Sequence, residues 1–439
     1  MAEPPLSRLS KLQPELQLMV VSHVWQQDLI NWSSTSSNFR SLLAPYIFTS
    51  VTLRNTEKSG FSVDLIAKSN YRQYVRDFSF EGTAPGDEED GFTDTEEILP
   101  DVVESVLSNL SQFPTLESVR IEFPLDFCDG WGGGQELFHD DETPEKRVRD
   151  EGEEAWRALN TKVYAALARN INPSFKKLTL EALLPREASS FSTPEFKALL
   201  GQMTHFTLSC WTDDDSHYRT VTRYGCVYYT ERFDTLFFNH LTSVTHLSIS
   251  GVGMPMGALG GSLKLNRFQM PLLRSLHLEG IFICRELVEF LTSHAQTLEI
   301  LHLDDCHAAA HTFGDQSDCI TWDDLFTPLS NSKPTRICEF RVEPDGTQLC
   351  HEIELFDDYR SSKEIKDEAA RALEHLKTHP ERRLFAYSYI DDKYGFVGGD
   401  KEGNLQSFRA EIDQRAFDRL MGIVERNAAK AQRRKLTHH

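Results

Sequence analysis

One phrase recurs along this chain and narrows what it can fold into: an apolar residue, two mixed residues, then apolar–polar–apolar. It stands at Val75–Phe80, Leu116–Ile121, Phe175–Leu180, Met203–Leu208, Val244–Ile249, Leu273–Leu278, Leu298–Leu303 and, degraded, Ile337–Val342. The alternating tail of each copy is the pattern of a short strand with one buried face. Between copies lie helix-like segments such as Pro194–Leu200 and Arg285–Leu291. Phe206 follows Leu178 by 28 residues, Leu276 follows Leu247 by 29, and Leu301 follows Leu276 by 25. Such periods suit one strand and one helix per unit, stacked so that each unit buries the apolar face of its neighbour. The expectation is an α/β solenoid with a parallel sheet. Longer gaps, as from Val119 to Leu178, then require surface insertions. An irregular α/β domain with a parallel sheet is the structural alternative.

A chain of 439 residues accommodates one short module and one long repeat domain. With 40% apolar and 26% charged residues it is a foldable sequence. A net charge of −21 and a pI near 5.2 argue against DNA, RNA or an anionic membrane as the main partner. The acid is concentrated near 81–104 and 126–155, read here as solvated insertions. The first residues lack the basic flank and apolar core of a secretion signal, and no apolar run reaches the ~18 residues that span a bilayer. Eight scattered cysteines without a Cys-x-x-Cys fit reduced thiols in cytosol or nucleus.

The first fifty residues carry a different pattern. Leu9-x-x-Leu12-Gln13-Pro14-Glu15-Leu16 leads into an apolar helical stretch, then Asp28-Leu29, then Asn38-Phe39-Arg40-Ser41-Leu42-Leu43. Pro14 suits a first helical turn and Glu15 favours the positive end of the helix dipole. Leu16, Val20 and Val24 fall on one helical face, and Leu18, Val21 and Trp25 on another. A helix apolar on two faces needs two neighbours. One is the next helix, carrying Leu29, Ile30, Trp32 and Phe39; the other is the rest of the chain or a second protein.

This stretch resembles an F-box: Leu-Pro-x-Glu-Leu, a spaced aliphatic run, a helix opened by Asp-Leu, and a Ser-x-x-Phe/Trp-Arg-x-Leu close. Gln13 stands where the family has its first proline. The resemblance covers about a tenth of the chain. It implies a module that binds the linker subunit of a cullin–RING ubiquitin ligase, and through it the cullin. The linker-facing residues would then come from Leu12, Pro14, Leu16, Val20, Val24, Leu29, Ile30, Trp32 and Phe39. A weakened contact is expected from Gln13. The repeats lack the asparagine that turns a leucine-rich repeat after its strand, and so resemble the divergent leucine-rich repeats behind many fungal F-boxes.

The chain divides accordingly into a helical module at 1–50, a repeat region at 51–380, and a closing segment at 381–439. In the last, Leu384–Gly395 reads as a strand and turn, and Arg409–Val424 as a helix with Phe417, Leu420 and Val424 on one side. A strand–turn–helix here would cap the open edge of a stacked sheet, and it looks like the closing segment of fungal F-box and leucine-rich-repeat proteins. Arg433-Arg434-Lys435 reads as a solvated, frayed basic tail, with a nuclear signal as the other reading.

Four zinc-type ligands, Cys306, His307, His311 and Cys319, lie within fourteen positions, but their spacing is no standard finger. A buried structural thiol at Cys306 is the simpler reading. Asp213-Asp214-Asp215 with His217 lacks calcium-loop spacing, and the glycines from Gly251 to Gly261 lack the Gly-Lys-Ser/Thr of a phosphate loop. His205, His246, His277 and His302 recur at comparable places in the repeats with no nucleophile beside them in sequence. No catalytic, cofactor or metal residue is assigned. The expected function is a non-catalytic, cytoplasmic or nuclear substrate adaptor for a ubiquitin ligase. A repeat scaffold whose first helices serve only as its cap is the alternative, and an enzyme is a third reading. The acidic insertions hint at a partner with basic patches; the substrate itself is not written in the sequence.

Overall fold

The computed structural model describes residues 13–21, 23–83, 98–124, 143–184, 186–210, 231–251, 256, 263–309, 320–343, 363–390 and 397–437. Outside them lie Leu12, Cys128, Cys226, Cys319, Cys350, His311, the Asp213–Asp215 run with His217, the glycines from Gly253 to Gly261 and most of both acidic runs.

Three helices come first: α1 (Pro14–Val21), α2 (Gln26–Thr35) and α3 (Ser37–Ile47). The chain then alternates through β1 (Ser50–Arg54), α4 (Glu57–Lys68), β2 (Asp77–Glu81), α5 (Asp101–Ser108), β3 (Ser118–Glu122), α6 (Pro144–Glu153), α7 (Ala155–Ala168) and β4 (Lys177–Leu183). It continues with α8 (Pro194–Leu200), β5 (His205–Cys210), α9 (Phe233–Leu236), β6 (His246–Ser250), β7 (Ser275–Glu279), α10 (Arg285–Ser293), β8 (Ile300–Asp304), β9 (Ala308–Ala309), α11 (Trp322–Asn331) and β10 (Glu339–Glu343). The close is α12 (Lys363–Thr378), β11 (Tyr387–Ile390), β12 (Val397–Gly399), α13 (Lys401–Ala410) and α14 (Ile412–Thr437).

The fold is α/β around a nine-stranded parallel sheet in chain order, β1 to β8 and then β10. All eight copies of the phrase end in a strand of this sheet, and Val51-Thr52-Leu53 forms the first strand. The shared spelling sets the register. Val51, Phe78, Val119, Leu178, Phe206, Leu247, Leu276, Leu301 and Phe340 stand opposite one another in one buried row. A second row runs from Leu53 through Phe80, Ile121, Leu180, Leu208, Ile249, Leu278 and Leu303 to Val342. The leading apolar residue of each phrase, from Val75 to Ile337, is buried as well. A slip of one residue would turn both rows to the opposite face, so burial fixes the pairing.

The entry to each strand repeats too. The Arg76 carbonyl accepts the N–H groups of Glu117 and Ser118, and the Glu117 carbonyl those of Lys176 and Lys177. The Lys176, Thr204, Thr245, Arg274 and Glu299 carbonyls do the same for the strands that follow. Helices cover the face formed by the apolar rows, where Tyr164, Phe191, Phe196 and Phe237 interlock through their rings.

Two expected helices divide. The helix read through Leu29 and Phe39 breaks at Ser36, whose extended backbone and hydroxyl cap α3 by accepting from the Phe39 N–H at 3.2 Å. The helix read over 409–424 breaks at Glu411, whose left-handed backbone (φ 56°) ends α13 and lets the chain restart at Ile412. The second piece then runs through Thr437, so Arg433 and Arg434 are helical. Its inner side, Ala416, Phe417, Leu420 and Val424, is buried, and α14 packs on α11 and on the edge strand β10. Asn427 ties it down by donating to the carbonyls of Pro334 at 2.8 Å and Ile337 at 3.1 Å. A three-stranded sheet, β12–β11–β9, lies alongside.

Candidate docking surfaces

The N-terminal helices have a core of their own. Val21, Leu29, Phe39 and Leu43 are buried together, with Val24, Trp32, Leu42 and Ile47 packed around them, separately from the core under the sheet. This sorts the residues expected to face a linker. Leu29 and Phe39 are interior, Val24 and Trp32 wall that interior, and Val20 is half-buried. Pro14 opens α1. Leu16 and Ile30 keep 46% and 42% of their surface exposed.

Two further apolar residues join the exposed set: Met19 at 65% and Trp25 at 83%. The periodicity placed Trp25 one turn above Val21. Because α1 ends at Val21, that stacking is not made; Val21 turns inward, and Trp25 stands in the turn before α2. A helical break is what the apolar spacing alone did not reveal. The unit meets the sheet region through Phe48, whose ring stacks on Tyr71 with centroids 4.5 Å apart.

The second surface is the face of the nine-stranded sheet opposite the apolar rows. Parallel sheets are ordinarily covered on both faces. Here the residues between the apolar rows, from Thr52 through Ser79, Thr179, Thr207 and Ser248 to Arg341, remain exposed or half-exposed. The four histidines lie on this face in two rows, not one ladder. His205 and His246 are in register on β5 and β6, and their rings stack 4.1 Å apart and nearly parallel. His277 and His302 are in register on β7 and β8, two residues further along the strands.

The second pair is tied to carboxylates. His277 Nε2 lies 2.8 Å from Asp304 Oδ2, and His302 Nε2 lies 2.8 Å from Glu339 Oε1. The Ser248 hydroxyl approaches His277 Nδ1 at 3.4 Å, so serine, imidazole and carboxylate stand in file across three strands. That order resembles a nucleophile relay. Yet the serine contact is long for a hydrogen bond, and Arg341 donates to the same Asp304 oxygen at 2.6 Å.

The stacked pair has a measurable consequence. Partial burial lowers the His205 pKa below its ordinary 6.5, and the charges of His246 and Lys177 lower it further. The unfolded chain therefore takes up this proton first. Stability from this group is complete above about 6.5 and declines as pH falls through the window just below it. We expect His205 to titrate below 6.5 by NMR, and His246→Ala to move it only partway back, because burial is the larger cause. A full return to 6.5 in that variant would show that burial contributes nothing.

Cys306 is buried, its thiol lies 3.5 Å from the Leu278 carbonyl, and burial pushes its pKa up to about 12, as for a structural thiol. His307 Nδ1 is 3.0 Å from the Ser388 hydroxyl. Among the described residues no group of three or more His, Cys, Asp or Glu is placed to hold a metal, and no helix is long and apolar enough to cross a membrane. Compared with known protein families and with curated proteins, the chain returns no match.

Proposed function

We propose that this chain is a non-catalytic substrate-recognition adaptor of a cullin–RING (SCF-type) ubiquitin ligase. In this reading the sheet region is a divergent leucine-rich-repeat solenoid. The N-terminal helices dock on the linker subunit, and the sheet region holds a target so that its lysines see a high effective concentration of charged ubiquitin carrier. The observation that carries the reading is the apolar set Leu16, Met19, Trp25 and Ile30, left exposed on a helical unit that already has its own core. Large apolar side chains left exposed on a unit that already has its own core are candidate anchors for a partner.

The test is co-expression with the linker and cullin, followed by capture of the chain. Wild type should bring down both. A Leu16→Asp/Ile30→Asp variant should lose about a hundredfold in linker affinity, since two apolar anchors would become desolvated charges. Its melting should stay within about 0.5 kcal/mol of wild type, because both positions are exposed. Capture that survives the double substitution means the face is wrongly assigned. Failure of wild type to bind any linker sinks the adaptor.

The rival reading, a repeat scaffold whose first helices only cap it, draws on one contact. Phe48 stacks on Tyr71, and α3 runs almost directly into β1. It predicts no linker binding at all.

A further inference from the structure

The stacked histidines of the open face are each held in one tautomer. The Thr204 hydroxyl donates to the Lys176 carbonyl at 3.2 Å, and the Thr245 hydroxyl donates to the Thr204 carbonyl at 3.1 Å. A hydroxyl has a single proton to give, so each threonine oxygen can only accept from the imidazole beside it. His205 Nδ1 lies 3.0 Å from Thr204 Oγ1, and His246 Nδ1 lies 2.9 Å from Thr245 Oγ1. Both rings therefore carry their proton on Nδ1 and a bare lone pair on Nε2. Neither Nε2 makes a hydrogen bond among the described residues.

The two arrangements are copies of one another, one strand apart. His205 and His246 are register partners, each follows its threonine, and each threonine bonds to the carbonyl at the entry of the neighbouring strand. The rings stack 4.1 Å apart with their planes 6° from parallel, so both Nε2 lone pairs point the same way. Metal-binding histidines are built like this, with the Nδ1–H engaged by an oxygen that fixes the ring and Nε2 left as the donor. An ion that takes nitrogen at about 2.0–2.1 Å with tetrahedral angles holds two of them about 3.4 Å apart. Rings 4.1 Å apart reach that spacing by a small tilt towards each other. His375 and His379 also stack, at 4.0 Å, but there only His379 has its Nδ1 engaged.

We propose that His205 and His246 together bind one divalent ion of the copper, nickel and zinc group through their Nε2 atoms. Thr204 and Thr245 are the positioning residues. No third His, Cys, Asp or Glu among the described residues joins the pair, and Lys177 stands in register on the far side of His205. Two imidazoles select ions that favour nitrogen over those that need oxygen. The remaining coordination positions go to water, which leaves the ion open to a donor from outside the chain. The site is independent of the adaptor reading, and neither falls with the other.

The test titrates zinc chloride into the full chain, isotope-labelled on its histidine nitrogens, with magnesium chloride as the counterpart. Ring-nitrogen NMR correlations, assigned against His205→Ala and His246→Ala, report the tautomer directly. Without metal both residues should show the Nδ1–H form. The first equivalent of zinc should shift their Nε2 signals ahead of those of the other histidines, and magnesium should shift neither. Calorimetry should show a saturable zinc step that either alanine variant abolishes and that His375→Ala/His379→Ala retains. Thr204→Val/Thr245→Val should weaken this step about tenfold, as loss of a ring-orienting partner does, and Thr204→Ser/Thr245→Ser should restore it. Lys177→Gln should tighten it about threefold by removing a neighbouring positive charge. An Nε2–H tautomer on either ring, zinc spread evenly over the histidines, or a step that survives His246→Ala overturns the proposal.

Discussion

Phe39→Ala should unfold the N-terminal helices and abolish linker capture while the sheet region stays folded. Phe39 is buried at the centre of the small core with Val21, Leu29 and Leu43, and no residue of that core belongs to the core under the sheet. Truncating a buried phenylalanine costs about 3–5 kcal/mol. A helical unit of this size, at about 0.05–0.15 kcal/mol per residue, has about 2–5 kcal/mol to lose. The deficit falls on the unit alone, because separate cores melt separately. Hydrogen exchange should show amides of α1 to α3 losing protection and those of β2 to β8 keeping theirs. A cooperative loss across both regions would mean that the helices are an integral end of the sheet domain, as the scaffold reading holds.

The second large effect is expected at Trp322. This side chain is buried where α11, the β11 approach and α14 meet, with its ring near Phe326 and Phe385. Its indole N–H donates to the Ala386 carbonyl at 2.9 Å. Nearby, the Tyr387 hydroxyl donates to Asp413 Oδ2 at 2.9 Å, and the Asn404 side-chain oxygen accepts from the Tyr387 N–H at 2.7 Å. Trp322→Ala removes the ring, at about 3–5 kcal/mol, and one of two hydrogen bonds to the Ala386 carbonyl, at about 0.5–1.5 kcal/mol, the Ala308 N–H still donating to it at 2.8 Å. The two overlap, and a loss near ~5 kcal/mol is expected from the shift of the urea midpoint. Trp322→Phe keeps most of the ring contacts but not the donor, so it should fall between. If the alanine variant shifts by less than ~1 kcal/mol, the closing segment does not depend on this junction.

Of the two surfaces, the helical one was partly legible. Leu16 and Ile30 could be named from the motif, and both are exposed apolar residues. Phe39 and Leu29 are equally apolar in the sequence, and only packing shows that they fill the interior. Met19 and Trp25 escaped because an apolar residue on a helical wheel looks the same whether or not its helix has already ended. The open sheet face was legible as alternation but not as a surface. The polar residues of each phrase are too far apart in sequence for their rows to be seen before the strands are paired.

The sequence by itself determined the strands. Eight copies of one phrase, each with three apolar positions, leave one economical way to bury them, side by side and in step, and that is how the strands pair. It did not determine where the helices break, because Ser36 and Glu411 act through backbone conformation that apolar spacing does not encode. Nor did it place the acids. Glu81, Glu122, Glu279, Asp304 and Glu343 end their strands on the same edge of the sheet only because the strands all run the same way. Direction is a property of the assembled sheet, set by crossover connections that return the chain to the same edge before each new strand.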